Sequence, residues 1–172
     1  MKTKLSLAAM LIGLLLAGCA SKDGQTTVRQ VDLKRYSGTW HEIARYPNFF
    51  QRHCSGGVTA QYIPQSDGSI KVINRCRKAD GTMEEAIGRA TVVPNSGNAK
   101  LKVSFFGPFT GDYWVIGLDE KNYSWAVVGH PSHKYLWVLS RTPKLSDEAA
   151  NQIRSLVISE GYNPEKLVTT AP

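Results

Sequence analysis

Apolar residues along this chain fall in short runs that alternate with polar ones, and turn residues punctuate the runs. A period of two marks strands with one buried face. The runs predict strands over residues 40–45, 57–63, 69–76, 83–93, 100–106, 112–119, 124–129 and 135–142. Between them lie Asp67-Gly68, Asp80-Gly81, Asn95-Ser96-Gly97-Asn98, Gly107-Pro108, Glu120-Lys121-Asn122 and His130-Pro131-Ser132-His133, whose residue types favour tight turns. Short connections make consecutive strands antiparallel neighbours, and closure into a barrel leaves no free edge. The spacing suits an all-β antiparallel barrel or sandwich, and short connections with closed edges favour an eight-stranded antiparallel up-and-down barrel.

One segment changes period. Ser146 is a good N-cap, Asp147 and Glu148 sit where they complement the helix dipole, and Gly161 supplies the stop. Ala149, Ile153, Leu156 and Val157 form a stripe at helical spacing. This predicts one C-terminal α-helix packed on the outside of the barrel. Val168-Thr169-Thr170 allows a last short extended segment.

The N-terminus follows a different logic. Lys2 and Lys4 precede an apolar stretch from Leu5 to Leu16 that is too short to span a bilayer comfortably. Leu16-Ala17-Gly18-Cys19 then resembles the lipobox of bacterial lipoproteins. By that resemblance residues 1–18 are a signal peptide and Cys19 is acylated. Each buried CH₂ of an acyl chain contributes about 0.8 kcal/mol of membrane affinity, so two or three chains anchor firmly. Ala20, rather than Asp, follows the cysteine, which points to export to the outer membrane. Residues 19–30 are expected to form a flexible, lipid-anchored tether and residues 31–172 the barrel domain.

Export changes the meaning of the other cysteines. Cys54 and Cys76 flank a hairpin whose turn is Gln65-Ser66-Asp67-Gly68. Folding it brings them to one end, within a few residues of direct opposition, and a bulge closes the remaining gap. In an oxidising compartment a disulfide is expected rather than two separate thiols. The formal charge of +7 falls to +5 once Lys2 and Lys4 are removed. That surplus favours an acidic membrane surface or anionic ligands. No basic cluster is interleaved with aromatics, so nucleic acid is not an expected partner.

Tyr36-Ser37-Gly38-Thr39-Trp40-His41-Glu42-Ile43-Ala44 carries the G-x-W that opens the first strand of lipocalins. Leu136-Trp137-Val138-Leu139-Ser140-Arg141-Thr142-Pro143 is similar to that family's closing strand with its arginine, at the expected distance and just before the helix. Val72-Ile73-Asn74 and residues 102–108 extend the likeness, which covers essentially residues 33–168. The chain thus resembles lipocalins, most closely bacterial ones and more distantly apolipoprotein D. The family's T-D-Y after the sixth strand is here Leu118-Asp119-Glu120, so partners that dock near that end do not carry over. Gly38, Trp40 and Arg141 are expected to be structural, with Trp40 plugging the closed end and Arg141 stacked on its indole.

Alternation predicts the cavity wall. Trp137 and Leu139 share the inward face of the last strand, Val72 and Asn74 that of the third, and Val103 and Phe105 that of the fifth. Both faces of residues 112–119 are apolar, and similarity to apolipoprotein D places Tyr113 and Val115 inside, with Ala60 and Tyr62 in the second strand. These ten residues suit one amphipathic guest. No inward lysine or arginine is evident near the open end, so the guest's polar head is expected at the mouth. Glu42 is expected to share Trp40's face, with Arg141 as its nearest donor.

Catalytic parts are missing from the pattern. There is no G-x-S-x-G elbow, no free thiol once Cys19 is acylated and the others paired, and no Cys/His zinc spacing. No enzyme activity, cofactor or metal is expected. The expected role is binding or carriage of a fatty acid or lysophospholipid at the outer membrane, on its periplasmic face, during envelope stress or turnover. The alternatives are a lipoprotein scaffold for protein–protein contact, with a filled interior, and a carrier of a tetrapyrrole or sterol-like guest. The resemblance also permits a homodimer.

Overall fold

A computed structural model describes residues 25–172; the expected signal peptide and Cys19 lie outside the described residues. Eight strands form the wall: β1 (Gly38–Arg45), β2 (Cys54–Pro64), β3 (Ile70–Lys78), β4 (Met83–Val92), β5 (Lys100–Phe106), β6 (Phe109–Leu118), β7 (Trp125–Gly129) and β8 (Leu136–Ser140). Each pairs antiparallel with its neighbours in sequence, and β1 pairs with both β8 and β2, which closes the ring. The eight strands expected from alternation are all present, with ends displaced by a few residues. β2 starts earlier, at Cys54, because two register shifts let its ladder continue past Gly57.

Those shifts also place the cysteines. Thr59 pairs with Arg75, Gly56 with Arg77 and Cys54 with Lys78, so Cys54 moves toward Cys76 by one residue at each irregularity. The Cα atoms come within 5.5 Å and the disulfide Cys54–Cys76 forms, within the span such a bond requires.

β1 splits its partners. Gly38 to His41 pair with β2, whereas Ala44 and Arg45 pair with a ninth strand, β9 (Val168–Thr169). β1 and β2 therefore part toward the mouth, and the C-terminal segment fills the gap. Thr170 N–H donates to Ile43 O, and Gly57 N–H donates to Ala171 O. Gly56 permits this approach, since a Cβ there would lie 2.8 Å from the Ala171 carbonyl oxygen.

Two apolar clusters lie on opposite sides of the wall. Inward residues of β1 to β8 form the inner one. The outer one joins Ile116, Val127 and Val138 to Ile153 and Val157 of helix α2 (Asp147–Ser159). Ser146 caps α2 by accepting from Ala149 N–H, and Gly161 ends it at φ +80°, a left-handed conformation that glycine adopts without strain. A short helix, α1 (Leu33–Tyr36), covers the closed end, with the Asp32 carboxylate accepting from Lys34 and Arg35 N–H.

The expectation of a flexible tether through Gln30 does not hold for residues 25–30. Gln25 is buried and its side-chain amide donates to Tyr162 Oη at 2.8 Å. Val28 N–H donates to Val115 O and Val31 N–H to Gly97 O. Isolated valines among polar residues show no period, so their anchoring to the barrel has no signature in the sequence.

The barrel interior as candidate functional site

Strand order sets the floor. Trp40 is fully buried on β1, and its indole N–H donates to Tyr36 O at 2.8 Å. The Arg141 guanidinium lies 3.8 Å from the Trp40 ring centroid and donates to Thr39 O, Arg35 O and Tyr123 O. Gly38 enters β1 at φ +92°, where a side chain would strain the backbone. These three residues lock α1, β1 and the β6–β7 turn together. Asp119, the surviving residue of the T-D-Y position, closes that turn by accepting from Asn122 N–H and from Ser124 N–H and Oγ–H.

Above the floor sits a group of tyrosines. Tyr113 Oη lies 2.8 Å from both Tyr36 Oη and Tyr62 Oη. Three hydroxyls carry three protons and share two hydrogen bonds, so one donor is left over. Beside them, among Val31, Ile70, Leu101 and Val115, is a void of about 10 Å³, room for a single water. Burial pushes the Tyr62 hydroxyl up to about 12. Burial, reinforced by the neighbouring tyrosines, holds Tyr36 and Tyr113 well above the ordinary phenol range. All three are neutral donors at physiological pH.

The ten residues expected to line the cavity all face inward. Ala60 lies opposite Trp40 and Asn74, and Tyr62 opposite Val72. Leu139 lies across from Glu42. Tyr62, Val72, Val115 and Leu139 are buried. Ala60, Asn74, Val103, Phe105, Tyr113 and Trp137 are only partly buried, although the wall encloses them. Six of the ten inward residues thus keep some solvent exposure. Gly88 makes room for one of these residues, since a Cβ there would lie 2.8 Å from the Phe105 ring.

The mouth corrects two expectations. An inward arginine is present: Arg45, whose Nη1 donates to Glu42 Oε1 at 2.7 Å. A register shift between Glu42 and Ala44 puts Glu42 opposite Leu139 and Arg45 opposite Trp137, both on the inner face. Strict alternation turns Arg45 outward, and the bulge at Ile43 reverses it. Glu42 is buried as expected, but its donors are Arg45, Gln51 Nε2 and Thr170 Oγ1 rather than Arg141. Arg141 is occupied by three carbonyls at the other end of β1.

Gln51 comes from a single 3-10 turn, Phe49–Gln51, in the β1–β2 loop. Its Oε1 accepts from the Trp137 indole N–H at 2.9 Å while its amide reaches Glu42 at 2.6 Å. Gln51, Arg45, Tyr36 and Thr170 are the site residues that alternation misses, because loops, bulges and terminal segments have no period. Asn74 Oδ1 and Arg45 Nε are buried without a hydrogen-bond partner among the described residues. An unpaired acceptor and an unpaired cationic donor thus face the upper interior, where a guest with polar groups would satisfy them.

Residues 31–172 match the model of the lipocalin-like domain family. The chain is 43% identical over 165 residues to the outer membrane lipoprotein Blc of Citrobacter freundii, covering 94% of this chain and 92% of that protein. Apolipoprotein D of Mus musculus is 32% identical over 148 residues, covering 81% and 76%. Insecticyanin of the tobacco hornworm Manduca sexta superposes with a TM-score of 0.69 at 22% identity, covering 85% and 83%, which shows the shared fold. The bacterial relatives support an outer-membrane location, and the family supports binding of a hydrophobic ligand in the barrel. Closed ring, plugged floor, open mouth and matched sequence agree: this chain belongs to the lipocalin-like family.

Proposed function

We propose that the protein binds one fatty acid or lysophospholipid with its acyl chain inside the barrel and its polar head at the mouth, held at the outer membrane by an acylated Cys19. The observation that carries this reading is the graded exposure of the inner face. Apolar Val103, Phe105 and Trp137 on the inner face keep some solvent exposure, and the same face carries the unpaired Asn74 Oδ1 and Arg45 Nε. Burial of an acyl chain against such a wall contributes about 25 cal/mol per Å². Arg45 is already charge-paired with Glu42, so it offers a guest its Nε donor rather than a free counter-charge, and an anionic head stays at the mouth in contact with water.

The rim fits the same role. Phe49, Phe50, Phe106 and Phe109 are 70%, 53%, 77% and 78% exposed. They lie in the β1–β2 connection and at the paired ends of β5 and β6, at the open end, and Arg52 stacks on the Phe49 ring at 4.4 Å. An apolar rim on a cationic chain suits an anionic phospholipid surface, from which a lipid enters the mouth directly.

The test is a titration of the mature chain, carrying Cys19→Ser, with a lysophospholipid and a long-chain fatty acid while tryptophan fluorescence is followed. Saturable quenching, lost in Trp137→Phe, is the expected result and ranks the two ligand classes. No response, with native mass spectrometry finding no bound lipid, replaces this reading by a scaffold; a coloured or sterol-laden protein replaces the guest.

A further inference from the structure

Three metal-ligand side chains meet at the rim of the β2–β3–β4 sheet, and a fourth, Glu84, adjoins them through His53. His53, Cys54 and Cys76 hold their ligand atoms within 4.8 Å of one another. His53 Nε2 lies 3.1 Å from Glu84 Oε1, and Glu84 is the register partner of Cys76. A tetrahedral zinc ion with Zn–N and Zn–O bonds of about 2.0–2.1 Å and Zn–S bonds of about 2.3 Å sets its ligands roughly 3.3 Å apart for N and O, and 3.8 Å for two sulfurs. The imidazole and carboxylate already stand near the first distance. The sulfurs, joined in a disulfide, are too close for the second and have no thiolate to offer.

We propose that reduction of Cys54–Cys76 opens a four-coordinate site for a zinc-like divalent cation, with Cys54, Cys76, His53 and Glu84 as its ligands. An external dithiol supplies the two electrons and two protons and is itself oxidised to a disulfide, which leaves two protein thiols. The cation then binds both sulfurs as thiolates and releases the two thiol protons. Two thiolates, an imidazole and a carboxylate form a donor set that zinc takes tetrahedrally. Access is open: the His53 and Glu84 side chains are 40% and 42% exposed, and Cys54 is partly exposed whereas Cys76 is buried. A reductant therefore meets Cys54 first. The donors come from a loop and three strands: His53 and Cys54 are adjacent, but Cys76 and Glu84 lie far along the chain, outside the spacing by which zinc motifs are read in a sequence. The site lies on the rim and stands independently of what the cavity binds.

The experiment uses the full chain in detergent, with Cys19→Ser so that Cys54 and Cys76 are the only thiols. Reduced and desalted protein is titrated anaerobically with Co²⁺, then with Zn²⁺. The expected result is one Co²⁺ per chain with a thiolate-to-cobalt charge-transfer band and the visible absorption of tetrahedral cobalt, both erased by Zn²⁺ and absent from oxidised protein. His53→Ala and Glu84→Gln, exposed positions that leave the fold intact by circular dichroism, each weaken Co²⁺ binding at least tenfold. A reduced protein without the charge-transfer band overturns the proposal, as does His53→Ala binding Co²⁺ with unchanged affinity.

Discussion

Glu42 and Arg45 are joined at 2.7 Å inside the barrel mouth, with side chains only 3% and 14% exposed. They share the inner face because of the bulge between them. Removing one partner of a buried pair leaves the other charge uncompensated, which costs about 3–5 kcal/mol. Gln51 and Thr170 continue to donate to Glu42, so Arg45→Ala should fall at the lower end, about 3 kcal/mol. Glu42→Gln combined with Arg45→Ala should recover part of that loss. Urea denaturation of both single variants and the double variant measures the coupling; strictly additive losses would show that the pair is not the stabilising unit.

This pair also marks how far the sequence reaches. Regular alternation places Trp137, Leu139, Val72, Asn74, Val103 and Phe105 inside, because the period holds across those strands. It fails at Arg45, where one extra residue in β1 inverts the faces, and no local residue type announces the bulge. The turn chemistry of Asp67-Gly68 and Asp80-Gly81 is legible because each aspartate accepts from the residues two positions on. The docking of residues 25–30 and the C-terminal closure of the β1–β2 gap are tertiary choices. They depend on which carbonyls the finished barrel leaves unpaired.

Arg141 differs from Arg45 in what it holds. Its planar fork meets three backbone carbonyls and the Trp40 face together. Arg141→Ala should lower stability by about 3 kcal/mol, combining a cation–π contact with charge-assisted hydrogen bonds. Arg141→Lys should recover little, since a point charge cannot span the three carbonyls. Thermal melts set beside lipid titrations separate the two roles. An affinity that falls further than stability would move Arg141 from the floor to the ligand site.

Exposed phenylalanines at the rim give a prediction about surfaces rather than stability. Replacing Phe49, Phe50, Phe106 and Phe109 with serine removes apolar area that makes few contacts with the fold, so the melting temperature should change by little. Association of the unanchored mature chain with anionic phosphatidylglycerol vesicles should drop several-fold in a sedimentation assay, and added salt should weaken what remains. Unchanged vesicle binding would assign the rim another role.

The tyrosine cluster makes the last prediction, and its sign follows from which state keeps its protons longer. Burial raises Tyr62 to about 12 and holds Tyr36 and Tyr113 well above their unfolded value near 10. Above pH 10 the unfolded chain therefore releases phenolic protons that the folded chain retains, and stability falls with rising pH. The contribution is fully present below pH 10 and is lost as pH climbs through 12. Tyr113→Phe removes both hydrogen bonds of the cluster and leaves the Tyr36 and Tyr62 hydroxyls unpaired, which should cost about 2 kcal/mol at neutral pH. It also removes one of the three raised groups, so the variant should lose less stability between pH 10 and 12 than the parent does. Melting temperatures across that range, with tyrosinate absorbance followed in parallel, check both parts. An alkaline slope that Tyr113→Phe leaves unchanged would mean that the proton release comes from tyrosines outside the barrel.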